Sequence, residues 1–164
     1  MKIFDCFMYY DEDLILDLRL NLLNSYVDKF VIVESLYTHS GELRKLRFDV
    51  NKYSRFKNKI NYIILKDLPI DLFTPSKEDP EDTKNSKYII NAVKRENLQR
   101  NTIMKGLKSA SPEDLIIISD VDEIPNLENN NIRDIKSKII LFKQNFFYYK
   151  FDLKLSNFAW YGSK

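Results

Sequence analysis

Three carboxylates stand close together where an apolar run ends. The run covers 115–118, and Asp120, Asp122 and Glu123 follow it just before Pro125. Such a run predicts a buried strand, which would place the acids at the carboxyl edge of a sheet, where open α/β folds bind ligands. Because residues two apart in an extended segment point the same way, Asp120 and Asp122 could bind one cation together. Oxygen ligands suit Mg²⁺ or Mn²⁺, whereas the alternative interpretation is a solvated acidic turn.

Length and composition indicate a single globular domain over residues 1–164. With 44% hydrophobic and 30% charged residues the chain is typical of soluble proteins, and its net charge of +2 argues against a general nucleic-acid coat. The single cysteine, Cys6, excludes an internal disulfide and fits a reducing compartment. The apolar stretch near the N-terminus is far shorter than the roughly 20 residues that span a bilayer, so we expect no membrane span and a cytoplasmic location.

The elements that would position the acids begin with a strand and a helix. Aromatic and apolar residues over 3–10 predict a buried strand. Asp11, Glu12 and Asp13 follow it and would supply the N-cap and the favourable first-turn charges of a helix. Helical periodicity places four residues on the inner face of this helix: Ile15, Leu18, Leu22 and Tyr26.

Two more strands and a long loop come next. Residues 31–33 predict a second strand, which ends at Glu34, so that an acid again stands at a strand end. Residues 60–65 predict a third strand. The segment after it, about 66–86, contains three prolines and an acidic run and predicts a long loop. Loops of that length inside a domain are usually mobile or functional.

A longer helix, about 86–109, is predicted before the acidic segment. Four apolar residues would form its inner stripe, with Arg100 almost at the centre: Ile89, Val93, Met104 and Leu107. A buried charge needs a partner, and one explanation is an ion pair with Glu96, four residues earlier. The other explanation is that this face lines a ligand cleft in which Arg100 binds a phosphate.

The C-terminal part predicts further strands. Residues 138–143 and 145–154 have strand patterns, and Trp160 and Tyr161 would stack on a sugar or cover the edge of the sheet. The whole pattern, βαβ-β-αβ followed by more strands, is typical of an α/β fold. These patterns alone therefore predict an α/β protein with a candidate metal site.

A basic segment supports a rival function. Seven Lys and Arg residues between 44 and 59 are interleaved with Phe48, Tyr53 and Phe56, as in a nucleic-acid track. Paired acids beside a sheet also organise two-metal phosphate chemistry, so a metal-dependent phosphoryl-transfer or nuclease domain is one alternative. A solvated basic face is the other explanation of the segment. His39, the single histidine, is expected to be a solvated loop residue.

Several motifs, in the same order along the chain, resemble glycosyltransferase family 17, the family of the β-1,4-mannosyl-glycoprotein N-acetylglucosaminyltransferases. They are the opening FDCFMYYDEDLILDLRLNLL, VDKFVIVES followed by Thr38 and Gly41, the ENLQRN helix with GLK after it, LIIISDVDEIP, the aromatic FFYYKFD, and the closing Trp160–Gly162. The resemblance implies a GT-A-like, Rossmann-like nucleotide-sugar domain with a mixed, mainly parallel central sheet flanked by helices.

The resemblance also implies a function and a set of site residues. It implies an inverting transfer of a GlcNAc-like sugar from a UDP-sugar donor to a hydroxyl of a glycan or another acceptor, with Mn²⁺ or Mg²⁺ at the acidic motif. Asp120 and Asp122 would bind the cation. Asp122 and Glu123 are the catalytic candidates, although Glu123 could instead support or cap the turn. The expected donor-binding residues are Tyr10, Asp11 and Glu12 near the uracil and ribose, together with Glu34, Arg100 and Asp120.

Family members continue well beyond the Trp-x-Gly element. We therefore expect part of the acceptor side, and with it the general base, to lie outside these 164 residues. A truncated remnant that binds nucleotide without turnover is the non-enzymatic alternative. The expected partners are the UDP-sugar donor and a hydroxyl acceptor, and no nucleic acid is expected.

Overall fold

The centre of the molecule is a sheet of four parallel strands. The computed structural model describes residues 1–128, 132–135, 137–150 and 152–162. The strands are β1 (Ile3–Tyr9), β2 (Lys29–Ser35), β3 (Ile60–Leu65) and β4 (Leu115–Ile118), in the order β3-β2-β1-β4. The bounds of β3 and β4 are those predicted and β1 ends one residue earlier. The second strand is longer than predicted because residues at both of its ends also pair with β1 and β3.

The strand order places a topological switch point between β1 and β4. From β1 the chain adds β2 and then β3 on one side, and later places β4 on the other side of β1. In open parallel sheets, ligands bind in the crevice at the carboxyl ends of such neighbouring strands. β1 ends at Tyr9 and β4 at Ile118, so Tyr10 and the acidic segment both follow strands that border this crevice. The predicted α/β, Rossmann-like fold is confirmed.

Two helices connect the strands. The first, α1 (Asp13–Leu23), follows β1, and the second, α2 (Glu81–Thr102), follows the long loop after β3. Helix α2 starts earlier than predicted, directly after Pro80, so the loop before it is shorter than the predicted 66–86, and acids in the first turn favour this start. The helix also ends earlier than predicted, at Thr102, where a 3₁₀ turn follows it. Within the described residues, three 3₁₀ turns cover Ser54–Phe56, Ile103–Gly106 and Ile132–Asp134. Among the described helices, none combines the length and the apolar character of a membrane span.

The inner face predicted for α1 was wrong in part. Ile15 and Tyr26 pack against the core, but Leu18 and Leu22 are exposed. The buried residues of α1 are Leu16, Arg19, Leu20 and Leu23. Since apolar residues occur on every side of this helix, periodicity could not select the buried face. That face includes Arg19 because a carboxylate of β1 is there to pair with it.

Helix α2 buries polar side chains instead of the predicted apolar stripe. Three residues of that stripe are exposed: Ile89, Val93 and Met104. The buried residues are Asn91, Gln99 and Thr102. Asn91 exchanges hydrogen bonds with the backbone of Phe73, and Gln99 donates to the Val33 carbonyl (2.9 Å). Of the predicted stripe only Leu107 packs against the core. The other three positions were predicted wrongly, because hydrogen bonds to the long loop and to the sheet determine which face of α2 points inward.

The core has two layers, one on each face of the sheet. The larger layer, beneath α1, includes Phe7, Leu16, Leu20, Phe30 and Ile117. The smaller layer contains Phe4, Cys6, Val31, Val33 and Ile103. At Gly106 an added Cβ would lie 2.3 Å from Val31 Cγ1, so the 3₁₀ turn after α2 can approach the sheet this closely because glycine stands there.

The C-terminal part forms a separate antiparallel hairpin. Its strands, β5 (Phe142–Phe147) and β6 (Lys154–Gly162), pair with each other in a two-stranded sheet. The strands predicted at 138–143 and 145–154 were therefore placed wrongly, because the chain reverses near Tyr149, whose φ is +61°. The expected mixed central sheet was also wrong: within the described residues the central sheet is purely parallel.

Candidate functional site

A cavity of about 960 Å³ lies at the switch point between β1 and β4. Its walls come from segments that are far apart in the sequence. They are the end of β1 with Tyr10 and Glu12 after it, the loop after β2 with Thr38, His39 and Ser40, the inner side of α2 with Glu96 and Gln99, and the acidic segment 120–122. The strand order brings these segments together, since β1 lies next to both β2 and β4.

The acidic segment after β4 is a turn and not an extended strand. The amide of Glu123 donates to the Asp120 carbonyl (3.1 Å), so the chain reverses over 120–123. The extended geometry expected for Asp120 and Asp122 was therefore wrong. Both residues nevertheless line the cavity, and Val121 between them is buried in the core.

The cavity is strongly acidic. Five carboxylates line it: Glu12, Glu42, Glu96, Asp120 and Asp122. The pKa of the Asp122 carboxyl is raised above its usual range because burial desolvates it and because Asp120, Glu123 and Glu12 add negative charge nearby. In the described part of the chain, no three His, Cys, Asp or Glu side chains are grouped so that they could bind a metal by themselves. A cation at the acidic turn would therefore complete its coordination with water or substrate oxygens.

Arg100 of α2 contacts one of the two aspartates. Its Nη2 lies 3.0 Å from Asp120 Oδ1 and 3.1 Å from Glu96 Oε1. The ion pair with Glu96, one of the two explanations of this arginine, is thus present. The same guanidinium also reaches a residue of the cavity wall, as the other explanation requires. The side chain of Asp120 remains 51% exposed, so the contact with Arg100 leaves much of this carboxylate accessible.

Glu123 supports the turn and does not line the cavity. Its Oε2 accepts a hydrogen bond from the Asp120 amide (3.1 Å), and its Oε1 accepts one from the indole nitrogen of Trp160. The side chain is buried. Because both oxygens are engaged, this geometry favours the turn-supporting role of Glu123 over a role as general base. Trp160 thereby connects the C-terminal hairpin to the acidic turn.

Comparison with known proteins identifies the family. The model of glycosyltransferase family 17 matches residues 1–164. This chain belongs to glycosyltransferase family 17. Relatives named β-1,4-mannosyl-glycoprotein 4-β-N-acetylglucosaminyltransferase, from Homo sapiens, Rattus norvegicus and Mus musculus, are each 30% identical to it over 115 residues. The match covers 68% of this chain and 19% of each relative, so the chain spans about a fifth of the length of these curated relatives. No solved structure matches it.

In this family-17 chain the segment after β1 lines one wall of the cavity. Tyr10 and Glu12 line it, and the Arg44 guanidinium packs on the Tyr10 ring at 4.0 Å. Glu12 Oε2 accepts hydrogen bonds from the amides of Tyr10 (2.9 Å) and Asp11 (3.1 Å). Asp11 instead lies at a neighbouring depression, 3.7 Å from Arg47. Of the three residues predicted to lie near a nucleoside, Asp11 is therefore the one placed outside the cavity.

Glu34 has the contacts of a structural residue. It is fully buried and does not line the cavity. Its oxygens accept hydrogen bonds from the amides of Arg47 (2.8 Å) and Phe48 (3.1 Å) and from the Tyr62 hydroxyl (2.7 Å), and it pairs with Arg44 at 3.0 Å. Glu34 was predicted to lie in the donor cleft, but it is absent from the cavity wall, because the segment after the loop folds over the end of β2.

The loop after β2 contributes residues that the sequence prediction missed. Thr38, His39 and Ser40 line the cavity, and His39 is an exposed loop residue, as expected. The loop turns at Gly41, whose φ of +95° is one that glycine adopts readily, and Arg95 donates to the His39 carbonyl (2.8 Å). The sequence did contain one signal that this loop belongs to the site, because Thr38 and Gly41 are among the motifs that resemble family 17.

A second missed feature lies beneath the acidic turn. Arg19 of α1 and Asp5 of β1 are both fully buried and form an ion pair at 2.7 Å. Arg19 also donates to the backbone of the turn. The sequence did contain a signal in Asp5, which is the single charge of an otherwise apolar strand, and a buried charge needs a partner.

The basic segment of the family-17 chain is used in structural contacts. Arg44 pairs with the buried Glu34, and Lys59 donates to the Val27 carbonyl (2.8 Å). The interleaved aromatic residues pack against the core beneath α1: Phe48, Tyr53 and Phe56. Aromatic rings that pack inward cannot stack on bases, so the segment lacks the surface that a nucleic-acid track needs.

Proposed function

We propose that this family-17 chain binds a UDP-sugar and a divalent cation, Mn²⁺ or Mg²⁺, in the cavity between β1 and β4, and that it transfers the sugar to an acceptor hydroxyl with inversion. The observation that carries the proposal is that Asp120 and Asp122 line one cavity at the switch point of a parallel sheet and that Arg100 contacts Asp120 there. The relatives are named for transfer of N-acetylglucosamine, which supports a GlcNAc-like donor. Because the chain spans about a fifth of their length, the whole reaction is part of this proposal.

The residues of the cavity fit a divalent cation. Five lining carboxylates would repel an anionic diphosphate, and burial, together with the neighbouring negative charges, raises the pKa of Asp122. Asp120 and Asp122 would bind the cation, and water and donor phosphates would complete its coordination. When bound, the cation supplies positive charge that stabilises the diphosphate as it leaves.

Arg100 would bind the donor diphosphate beside the cation. Its guanidinium has the planar fork that matches phosphate oxygens, and it already lies at the edge of the cavity. On donor binding it would exchange its contact with Asp120 for one with phosphate, which would leave Asp120 to the cation. Glu96, its other partner, would keep the side chain near the site.

Tyr10 and Glu12 would contact the nucleoside. The Tyr10 ring, supported by Arg44, can stack on a base, and Glu12 stands next to it on the cavity wall. We propose a GT-A-like arrangement of donor and sheet on this basis. The general base is expected on the acceptor side. The cytoplasmic location stays a prediction.

Titration calorimetry of UDP with and without Mn²⁺ tests the proposal. We expect UDP to bind more tightly with Mn²⁺, and Asp122→Asn to remove that difference while keeping the size of the side chain. Glu113→Gln, an exposed acid before β4 at the opposite end of the strand, is the matched control and should behave as wild type. Equal UDP binding with and without Mn²⁺ in the wild type would overturn the metal-bridged site.

A second assay separates a transferase from a nucleotide-binding remnant. Hydrolysis of UDP-GlcNAc and of other UDP-sugars to free sugar uses water as the acceptor, so it needs no knowledge of the natural acceptor. We expect Mn²⁺-dependent hydrolysis that Asp122→Asn abolishes. Intact Mn²⁺-dependent UDP binding with no hydrolysis of any donor would favour the remnant.

A further inference from the structure

Arg19 occupies an unusual position, fully buried beneath the acidic turn. It lies on the inner face of α1 and forms a two-point contact with Asp5 of β1, which is also fully buried. Arg19 Nε donates to Asp5 Oδ2 (2.8 Å), and Arg19 Nη2 donates to Asp5 Oδ1 (2.7 Å). This pairing neutralises the arginine and fixes the plane of its guanidinium.

The remaining donors of Arg19 all point at the chain around the acidic turn. Nη1 donates to the carbonyls of Asp120 (2.7 Å), Val121 (3.1 Å) and Glu123 (3.1 Å). Nη2 also donates to Ser119 Oγ (2.5 Å). Every nitrogen of the guanidinium therefore has an acceptor, and the same side chain contacts four of the five residues from 119 to 123. Lysine has fewer donors and no planar fork, so it could not reproduce this set.

These contacts decide which way the turn faces. The carbonyls of Asp120, Val121 and Glu123 point inward at Arg19, while the carboxylates of Asp120 and Asp122 line the cavity. Without the guanidinium the inward carbonyls would lose their partner, and buried carbonyls without partners are costly, so the turn would have to rearrange. Buried ion pairs add little to stability compared with apolar residues of similar size. The arrangement therefore points to a role in shaping the turn.

We propose that Arg19, oriented by Asp5, is a positioning residue that fixes the acidic turn in the conformation from which Asp120 and Asp122 bind the cation. The part of this inference that concerns the cation rests on the proposed function. The part that concerns the conformation of the turn does not. Neither Arg19 nor Asp5 lines the cavity, so both would act through the turn and not by touching the donor.

Hydrogen exchange in the absence of metal tests the conformational part. The amides of Asp120, Glu123 and Ile124 donate within the turn, and Arg19→Lys should make them exchange faster. Leu20→Ala is the matched control, because Leu20 is the next residue of α1 and is equally buried, and no polar contact connects it to the turn. The two variants are compared under conditions where their overall stability is equal. If the amides of the turn then exchange no faster in Arg19→Lys than in Leu20→Ala, the proposal is overturned.

Mn²⁺-dependent UDP affinity, measured below the melting temperature of each variant, tests the functional part. Residues that orient metal ligands typically contribute a factor of roughly 10 to 100 in metal affinity, so we expect a loss of that order in Arg19→Lys and none in Leu20→Ala. If Arg19→Lys does not fold, Ser119→Ala is the second test variant, because it removes one acceptor of the guanidinium. In that variant we expect a smaller loss of Mn²⁺-dependent UDP affinity and faster exchange of the same amides.

The two measurements distinguish the failure of this inference from the failure of the proposed function. If the wild type binds UDP with Mn²⁺ and Arg19→Lys binds it equally well, the positioning role is overturned and the proposed function stands. If the wild type shows no Mn²⁺-dependent binding, the proposed function fails, and faster exchange at the turn in Arg19→Lys would still support the conformational role.

Discussion

Glu34 and Asp120 both lie at the carboxyl end of a parallel strand next to β1, yet their surroundings are opposite. Glu34 is fully buried and accepts hydrogen bonds from two amides and a tyrosine hydroxyl. Asp120 is half exposed on the wall of the cavity. The difference lies in what covers each strand end: residues 44–48 fold over the end of β2, whereas β4 ends at the switch point, where a crevice remains. An acid at this edge of a sheet is therefore a good site candidate where the topology leaves the edge uncovered.

Removal of Glu34 should have the largest effect on stability. In Glu34→Ala the largely buried side chain of Arg44 and the Tyr62 hydroxyl lose this carboxylate, and breaking a buried pair costs about 3–5 kcal/mol. We expect a loss of that order in the free energy of urea unfolding. Tyr62→Phe, which removes one hydrogen bond to the same carboxylate, should cost about 1 kcal/mol. If Glu34→Ala kept wild-type stability but no longer bound UDP, Glu34 would be a binding residue like Asp120 and not a structural one.

Arg100→Ala should affect ligand binding more than stability. The pairs with Glu96 and Asp120 are partly exposed, and such pairs contribute about 1 kcal/mol or less to folding. A charged hydrogen bond to phosphate contributes about 1.5–3 kcal/mol, so Mn²⁺-dependent UDP affinity should fall about 10-fold or more. Glu96→Gln keeps the arginine and its contact with Asp120, and we expect it to have a smaller effect. A large drop in melting temperature with unchanged affinity would make Arg100 a structural residue like Arg44.

Gly41→Ala tests whether the loop after β2 shapes the cavity. A φ of +95° strains any residue with a side chain, which should cost about 1 kcal/mol in unfolding experiments. The added Cβ would also lie 2.5 Å from Arg95 Nη2, the far end of a flexible side chain. Because Thr38, His39 and Ser40 line the cavity, a shift of the loop should also weaken UDP binding. Gly41→Asn should be milder, since asparagine tolerates positive φ better. Wild-type affinity in a destabilised Gly41→Ala would exclude the loop from donor binding.

Sequence patterns predicted the strands better than the faces of the helices. The bounds of β4 followed from a continuous apolar run and those of β3 from a run that only Asn61 interrupts, and the position of the acidic turn followed from the end of β4. The buried face of α1 could not be predicted, because apolar residues surround the helix and because Arg19 is buried by a partner on β1. The buried polar residues of α2 depend on backbone partners in distant segments. Glu34 was misplaced for the same reason, since Arg44 and Tyr62 become its partners in the folded chain.

The smallest expected effect is on the pH dependence of stability, to which Asp122 and Asp13 should contribute with opposite signs. Burial and neighbouring acids raise the pKa of Asp122 above its usual 3.8, so its charged form is disfavoured in the folded protein, and stability is gained as the pH falls through the raised value. Asp13 is the opposite case. A hydrogen bond from the Tyr9 hydroxyl, aided by Lys52, lowers the pKa of Asp13 below 3.8. Its contribution is therefore present at neutral pH and is lost as the pH falls below that usual value.

Urea unfolding of Asp122→Asn and Asp13→Asn between about pH 7 and about pH 4 should show differences from wild type of opposite sign. Asp122→Asn should be slightly more stable than wild type at neutral pH, and the gain should shrink as the wild-type carboxyl takes up its proton. Asp13→Asn should be slightly less stable across this range. If Asp122→Asn were instead less stable than wild type at neutral pH, the Asp122 carboxylate would be a structural acid like Glu34, because a ligand-binding carboxylate crowded by other acids destabilises the fold until its cation is bound.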